Sequence, residues 1–240
     1  MEYLFIALLA VGASFVQRTT GFGFGIFIMT ALPYLMPSYG EATTLSGLLA
    51  LTTSLGIFVK THKLAGWQRM WPVLISFLIV SAGAIFALTR TPERTMRLIL
   101  GIVMILVSLY FFFWGDKIKI RPSLPAQITS GTLSGLMGGF FGMQGPPAVL
   151  YFVSTEPDKE HYMATTQAYF CIGNAVMTLV RAGNGFLSAK VGVAYACGLG
   201  GVLLGTWIGA KVFDRIPAQT FRYIVYAFIG ISGIVMLAVL

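Results

Sequence analysis

Apolar runs approaching or exceeding the ~18 residues needed to cross hydrocarbon recur along this chain from end to end, and glycine clusters break two of them. The first break reads Gln17-Arg18-Thr19-Thr20-Gly21-Phe22-Gly23-Phe24-Gly25. The second reads Gly135-Leu136-Met137-Gly138-Gly139-Phe140-Phe141-Gly142-Met143-Gln144-Gly145-Pro146-Pro147. Each glycine costs a helix about 1 kcal/mol relative to alanine. An arginine at bilayer depth costs at least ~2.5 kcal/mol, so Arg18 demands a counter-ion, a carbonyl cage or a water-filled cavity. Broken helices persist at that depth only where they are buried in protein or line such a cavity. The breaks are therefore where a solute site is expected.

A soluble domain carries about 25% charged residues, whereas this chain of 240 residues carries 10%, with 57% apolar and a mean hydropathy of +0.83. The expected class is an all-α polytopic membrane protein with essentially no extramembrane domain. The net charge of +8 does not call for a nucleic-acid partner. Most Lys and Arg sit in short loops (Lys60, Lys63 and Arg69; Lys117, Lys119 and Arg121; Lys211 and Arg215), and short basic loops mark the cytoplasmic side. Cys171 and Cys197 fall inside apolar segments and read as buried small residues. His62 and His161 lie apart, so neither a metal site nor any other cofactor is expected. Met1-Glu2-Tyr3 lacks a basic n-region and reads as retained membrane segment rather than signal peptide.

The apolar segments run approximately 3–16, 22–36, 42–59, 71–89 and 95–114, then 124–140, 144–154, 161–182, 188–212 and 218–239. In each half two short segments flank a break and three longer helices follow. Thr89-Arg90-Thr91-Pro92 matches Asp214-Arg215-Ile216-Pro217, Arg97 matches Arg222, and Ala42-Thr43-Thr44 matches Ala164-Thr165-Thr166. This implies two homologous halves, 1–114 and 124–240, joined by a polar linker at 115–123. If each broken pair is a re-entrant hairpin or two short crossings, the number of crossings per half is odd and the repeats are inverted; one long tilted span would make them parallel. The basic loops favour inversion.

Paired, glycine- or proline-interrupted segments at corresponding places in two halves point to a transporter binding site. Pro146 and Pro147 suit the first turn of a half-helix running to about Ser154, and Gly21–Gly25 would open its counterpart. Two converging helix N-termini attract an anion. All eight Asp and Glu lie near segment ends or in loops, which disfavours a cation path. The expected substrate-binding residues are Gln17, Arg18, Thr19, Thr20, Gly21, Gly23, Gly25, Gly142, Gln144, Gly145 and Pro146. Arg18 would supply the charge; the alternative is snorkelling to an interface. Arg181 is expected to snorkel. Gly201, Gly205 and Gly209 form a packing ladder, while Gly131, Gly135, Gly138 and Gly142 suit either packing or backbone opening. Trp67, Trp71 and Trp114 read as interfacial residues. Serines without a neighbouring histidine, and the lack of a Walker motif, argue against an enzyme.

The run Ser134-Gly135-Leu136-Met137-Gly138-Gly139-Phe140-Phe141-Gly142-Met143-Gln144-Gly145-Pro146-Pro147 resembles the second-half motif of the TauE/SafE family of sulfite and organosulfonate exporters. Thr19-Thr20-Gly21-Phe22-Gly23-Phe24-Gly25 resembles its first-half counterpart. Met143-Gln144 stands where the family run is more often all glycine, so substrate preference does not carry over. The resemblance implies a secondary transporter of small sulfur-containing or carboxylate anions, multi-pass in a bacterial cytoplasmic (inner) membrane and working by alternating access. H+ or Na+ are candidate co-transported ions, the bilayer is its other partner, and an oligomer is compatible. The rival readings are an anion-selective channel and a membrane scaffold or accessory subunit.

Overall fold

Helix α1 (Glu2–Thr20) ends where Gly21 turns left-handed at φ 87°, its amide donating to the Gln17 carbonyl at 2.8 Å. Gly23, at φ 95°, then starts the short α2 (Phe24–Ile28), followed by α3 (Leu32–Leu35). Only glycine holds such angles without strain. The Ser38 hydroxyl caps α4 (Tyr39–Thr61) by accepting the Glu41 amide at 3.2 Å. A 3-10 turn (His62–Leu64) leads to α5 (Trp67–Leu88) and α6 (Glu93–Trp114). The second half repeats the order: α7 (Leu124–Phe141), a left-handed Gly142 at φ 67°, α8 (Gly145–Thr155), α9 (Lys159–Gly183), α10 (Ala189–Val212) and α11 (Ala218–Ala238). This computed structural model describes residues 1–114, 120–212 and 218–239, with the backbone alone at 212 and 218–225. The loop residues Asp116, Lys117, Lys119, Asp214 and Arg215, and the second copy of the Arg-x-Pro repeat, lie outside the described residues.

Glycine decides which helices touch. Helix α1 lies parallel to α10, where a Cβ on Gly201 or Gly205 would overlap the Ala7 or Val11 carbonyl. Helix α7 lies parallel to α5 in the same way, but here the glycines belong to α7: Gly131, Gly135 and Gly139 face the Val73, Phe77 and Ser81 backbones. These positions serve packing, whereas Gly142 opens the chain. The central pair, α4 and α9, is antiparallel, with Gly40 against Phe186 at one end and Gly66 donating to Thr165 at the other. Helices α6 and α11 form the remaining long pair. Matching α1 with α7, α4 with α9, α5 with α10 and α6 with α11 maps these contacts onto one another.

Polar residues go inward and apolar ones outward, as a lipid solvent requires. Buried on α4 are Thr43, Thr44, Ser46, Thr53 and Ser54; buried on α9 are Thr165, Thr166, Gln167, Asn174, Thr178 and Arg181. Leu4, Ile79, Leu106, Leu179 and Leu203 are exposed around the outside, and so is Cys197, although Cys171 is buried as expected. Among the described residues five helices are long and apolar enough to cross a membrane. Helix α9, 25 residues long, is not one of them, because its inner face is polar. At 19 residues α1 runs about 28 Å, since Gln17–Thr20 continue the helix beyond the apolar segment that ends near residue 16.

These directions give the molecule two ends. One end gathers Lys60, Lys63, Arg69, Arg121 and Lys159, tied together by Arg69 donating to the Thr155 carbonyl (2.7 Å) and Gln127 donating to the Arg69 carbonyl (3.3 Å). The other carries the Lys190–Glu2 pair at 3.7 Å and the Tyr39 amide donating to Glu93 at 3.1 Å. Overpacking a tight helix contact costs about 1–3 kcal/mol. Gly205→Val, which drives a side chain into α1, should therefore lower the detergent melting temperature by several degrees. Gly192→Ala, with open space at its Cβ, should leave it unchanged.

Candidate functional site

The two breaks meet. A Cβ on Gly25 would overlap the Gly142 carbonyl, so only glycine lets the first turn of α2 touch the end of α7. Beside this contact lies a cavity of about 20 Å³, lined by Gln17, Gly23, Phe24, Gly25, Ile26, Ala50, Gly142, Met143, Gln144, Gly145, Phe170 and Asn174. That volume holds about one water. Of the expected site residues, the structure brings together Gln17, Gly23, Gly25, Gly142, Gln144 and Gly145 here, and it adds Asn174.

The two helix N-termini contribute unequally. The first bond of α2 runs from the Phe27 amide to the Gly23 carbonyl, which leaves the Phe24, Gly25 and Ile26 amides ahead of it. At α8, Pro146 and Pro147 have no N–H, and the Ala148 amide donates to Ser134 Oγ at 2.9 Å. The backbone amides this break can offer are thus those of the residues before Pro146. Pro146 is buried but does not line the cavity.

Each break is held by a side-chain clasp. Towards the basic end, Gln17 Nε2 donates to Ser54 Oγ (2.8 Å) and to Gln167 Oε1 (3.0 Å), while Gln167 Nε2 donates to the Gly21 carbonyl (2.8 Å). Towards the other end, the Arg181 guanidinium donates to the carbonyls of Thr43 (3.1 Å), Gly138 (2.8 Å) and Gly139 (3.2 Å). Arg181 is wholly buried, which corrects the expectation that it snorkels. The carbonyls of α7's last turn carry its negative dipole end, so they cage a cation without a carboxylate. Around this clasp and the cavity, Ser46 Oγ, Gln144 Oε1, Thr178 Oγ1 and Arg181 Nε are buried without a protein partner. A sequence signal for the stripe existed: Gln167, Asn174, Thr178 and Arg181 recur at spacings of seven, four and three, one face of a helix.

The remaining expected residues lie elsewhere. Arg18, in the last turn of α1, packs its stem on Gly209 and lines a separate cavity of about 350 Å³ with Lys60 and Thr61. Thr19 and Thr20 border a third, of about 450 Å³, with Glu156, Asp158 and Tyr162. Their hydroxyls donate back to the Phe15 and Val16 carbonyls. Gly21 enters through its carbonyl alone. Sequence reading placed Arg18 at the centre because it is adjacent to the break; the helix carries it round to the α10 side.

In the loop between α8 and α9, burial pushes the Glu156 carboxyl above its ordinary value, opposed by Arg69 at 3.5 Å. Asp158 is held below its ordinary value by the His161 amide and imidazole. A raised folded-state value contributes stability below the unfolded value and loses it as pH rises through the folded one. Asp158 has the opposite sign, losing its contribution as pH falls. Melting curves from about pH 4 to 7 should therefore show a loss with rising pH that Glu156→Gln removes and Asp158→Asn does not. At the buried clasp, Arg181→Met removes the side-chain donor to the Gly139 carbonyl and should cost about 1–3 kcal/mol of stability. Arg181→Lys, reaching fewer carbonyls, should recover part of the lost melting temperature; full stability in Arg181→Met would show that the clasp holds nothing.

Comparison with known proteins fits this arrangement of paired breaks. The family described as sulfite exporter TauE/SafE matches residues 5–236. A protein of Cupriavidus necator named a probable sulfite/organosulfonate exporter is 28% identical over 244 residues, covering 96% of this chain and 92% of that one. No solved structure matches. With a family match running almost from end to end, the chain belongs to the TauE/SafE family of membrane transporters.

Proposed function

We propose that this protein is a secondary exporter of small sulfur oxyanions, sulfite or an organosulfonate, in a bacterial cytoplasmic membrane. The observation that carries the reading is Arg181: a fully buried guanidinium held by carbonyls of the second break, behind a cavity lined by Gln17, Gln144 and Asn174. A carbonyl cage satisfies the hydrogen bonds of a cation without cancelling its charge. The site therefore favours an anion, and Arg181 takes the charge role first expected of Arg18. The substrate class follows the family description and the name of the Cupriavidus necator relative.

The Gln17–Gln167 clasp lies on one side of the cavity and the Arg181 clasp on the other. About 20 Å³ is too little for a sulfite ion, so a clasp must part for substrate to enter. A space this small, which has to widen for each ion, suits a carrier better than a channel. In this reading the halves are inverted, the basic end is cytoplasmic, and rocking one half against the other opens one clasp at a time. The parallel α1–α10 and α5–α7 pairs around an antiparallel α4–α9 centre support it. An ion gradient, of H+ or Na+, would drive the cycle.

The test is radiolabelled sulfite flux in proteoliposomes, with and without a pH gradient. Wild-type protein should show saturable flux. Gln144→Glu puts a like charge at the cavity and should reduce flux more than about tenfold in protein that remains folded. Normal flux in that variant would remove the cavity from the transport path.

A further inference from the structure

We infer that Ser46 and Thr178 are substrate-binding residues, whose hydroxyls donate to oxygens of the anion as the central cavity widens towards Gly47; this rests on the transport reading above. Among the described residues, most buried serine and threonine hydroxyls of α4 and α9 are engaged. Thr43 and Thr44 donate back to the Gly40 carbonyl at 2.9 and 2.7 Å, and Thr53 donates to the Leu49 carbonyl at 3.1 Å. Ser54 accepts from Gln17, and Thr165 accepts from the Gly66 amide. Ser46, Thr166 and Thr178 bond nothing in the protein. A buried hydroxyl without a partner carries the desolvation cost of that group uncompensated. Thr166 precedes Gln167 of the first clasp, whereas Ser46 and Thr178 belong to the Arg181 side.

The neighbours of these two hydroxyls indicate where their partner enters. A Cβ on Gly142, which lines the cavity, would stand 3.6 Å from Ser46 Oγ. A Cβ on Gly47 would stand 3.7 Å from Thr178 Oγ1, 3.9 Å from Asn174 Oδ1 and 3.3 Å from Arg181 Nη1. These distances are close to ordinary contact, whereas a Cβ on Gly25 or Gly40 would overlap its neighbours. Helix packing therefore does not require glycine at 47, and the missing methyl leaves slack among three polar side chains. Asn174, Thr178 and Arg181 recur at spacings of four and three along one face of α9, and Asn174 lines the cavity. Arg181 Nη1 and Nη2 already donate to carbonyls, so the guanidinium supplies charge and the two free hydroxyls supply contacts. A cation in this place would meet that charge, which leaves a small oxyanion as the ligand. Water alone would also satisfy the hydroxyls, and kinetics separates the two.

The experiment measures radiolabelled sulfite flux in proteoliposomes, and the melting temperature, for wild type, Ser46→Ala, Thr178→Val, their double variant, Thr178→Ser and Gly47→Ala. Removing an unpartnered hydroxyl should leave the melting temperature unchanged or raise it, the opposite of what losing a structural hydroxyl does. The double variant should raise KM about tenfold with kcat within about twofold, while Thr178→Ser stays near wild type. Gly47→Ala fills the slack without altering either hydroxyl. Helix propensity favours alanine, so this variant should fold normally and still raise KM about fivefold. An unchanged KM in the folded double variant overturns the assignment, while wild-type flux still supports the transport reading. A fall in kcat with KM unchanged gives the hydroxyls to water or to the widening itself, and overturns it as well. If wild type moves no sulfite, the transport reading fails and binding decides. Equilibrium dialysis of radiolabelled sulfite against purified protein should then show saturable binding, weakened about tenfold in the double variant. Absent binding, or equal binding in the two proteins, overturns the assignment.

Discussion

A backbone that stops being helical inside a membrane must find partners for its polar groups, because hydrocarbon offers none. That requirement organises this molecule. Two left-handed glycines, Gly21 and Gly142, end α1 and α7 inside the bundle and leave carbonyls to be satisfied. Helix α9 answers both: Gln167 near its start holds the first break, and Arg181 near its end holds the second. Its polarity, which sets it apart from the apolar spanning helices, is the consequence. So is its central position, since only a helix buried against α4 can offer six polar residues inward at no cost to the lipid contact.

The two halves solve the same problem with different chemistry. In the first, a neutral pair of glutamines links three helices through hydrogen bonds that break and re-form at modest cost, about 0.5–1.5 kcal/mol each. In the second, a cation grips three carbonyls, and charge-assisted bonds of this kind are roughly twice as strong. The packing glycines show the same economy of means, placed on α10 at one interface and on α7 at the other. What is repeated is the contact, not the residue that makes it.

The class, the paired breaks and the meeting place of the half-helices were legible in the sequence because glycine and proline act locally: Gly21, Gly23 and Gly142 take the angles that only glycine takes freely, and α8 begins where Pro146 and Pro147 require. The charge was not legible. Arg18 sits next to the break in sequence but a helix turns about 100° per residue, so Gln17 and Arg18 face different cavities. Arg181 lies near a helix end, where snorkelling is the ordinary outcome; burial follows only because α7 ends beside it. That proximity joins residues more than forty positions apart, and no local pattern encodes it. The polar stripe on α9 was the available clue.

Placing the cation behind the cavity rather than in it has a consequence for turnover. In the proposed cycle a charge held behind the cavity attracts an anion less than one in direct contact, because Coulomb energy falls with distance. Direct contact would bind the anion more tightly and slow its release. The polar groups that line the cavity, Gln17, Gln144 and Asn174, are neutral, so in that cycle they would orient an oxyanion without trapping it. A carboxylate paired to Arg181 would cancel the attraction altogether, whereas carbonyls leave it in place. For the export cycle proposed above, the cage would reconcile two opposed demands, a field strong enough to exclude cations and a grip weak enough to let the anion go.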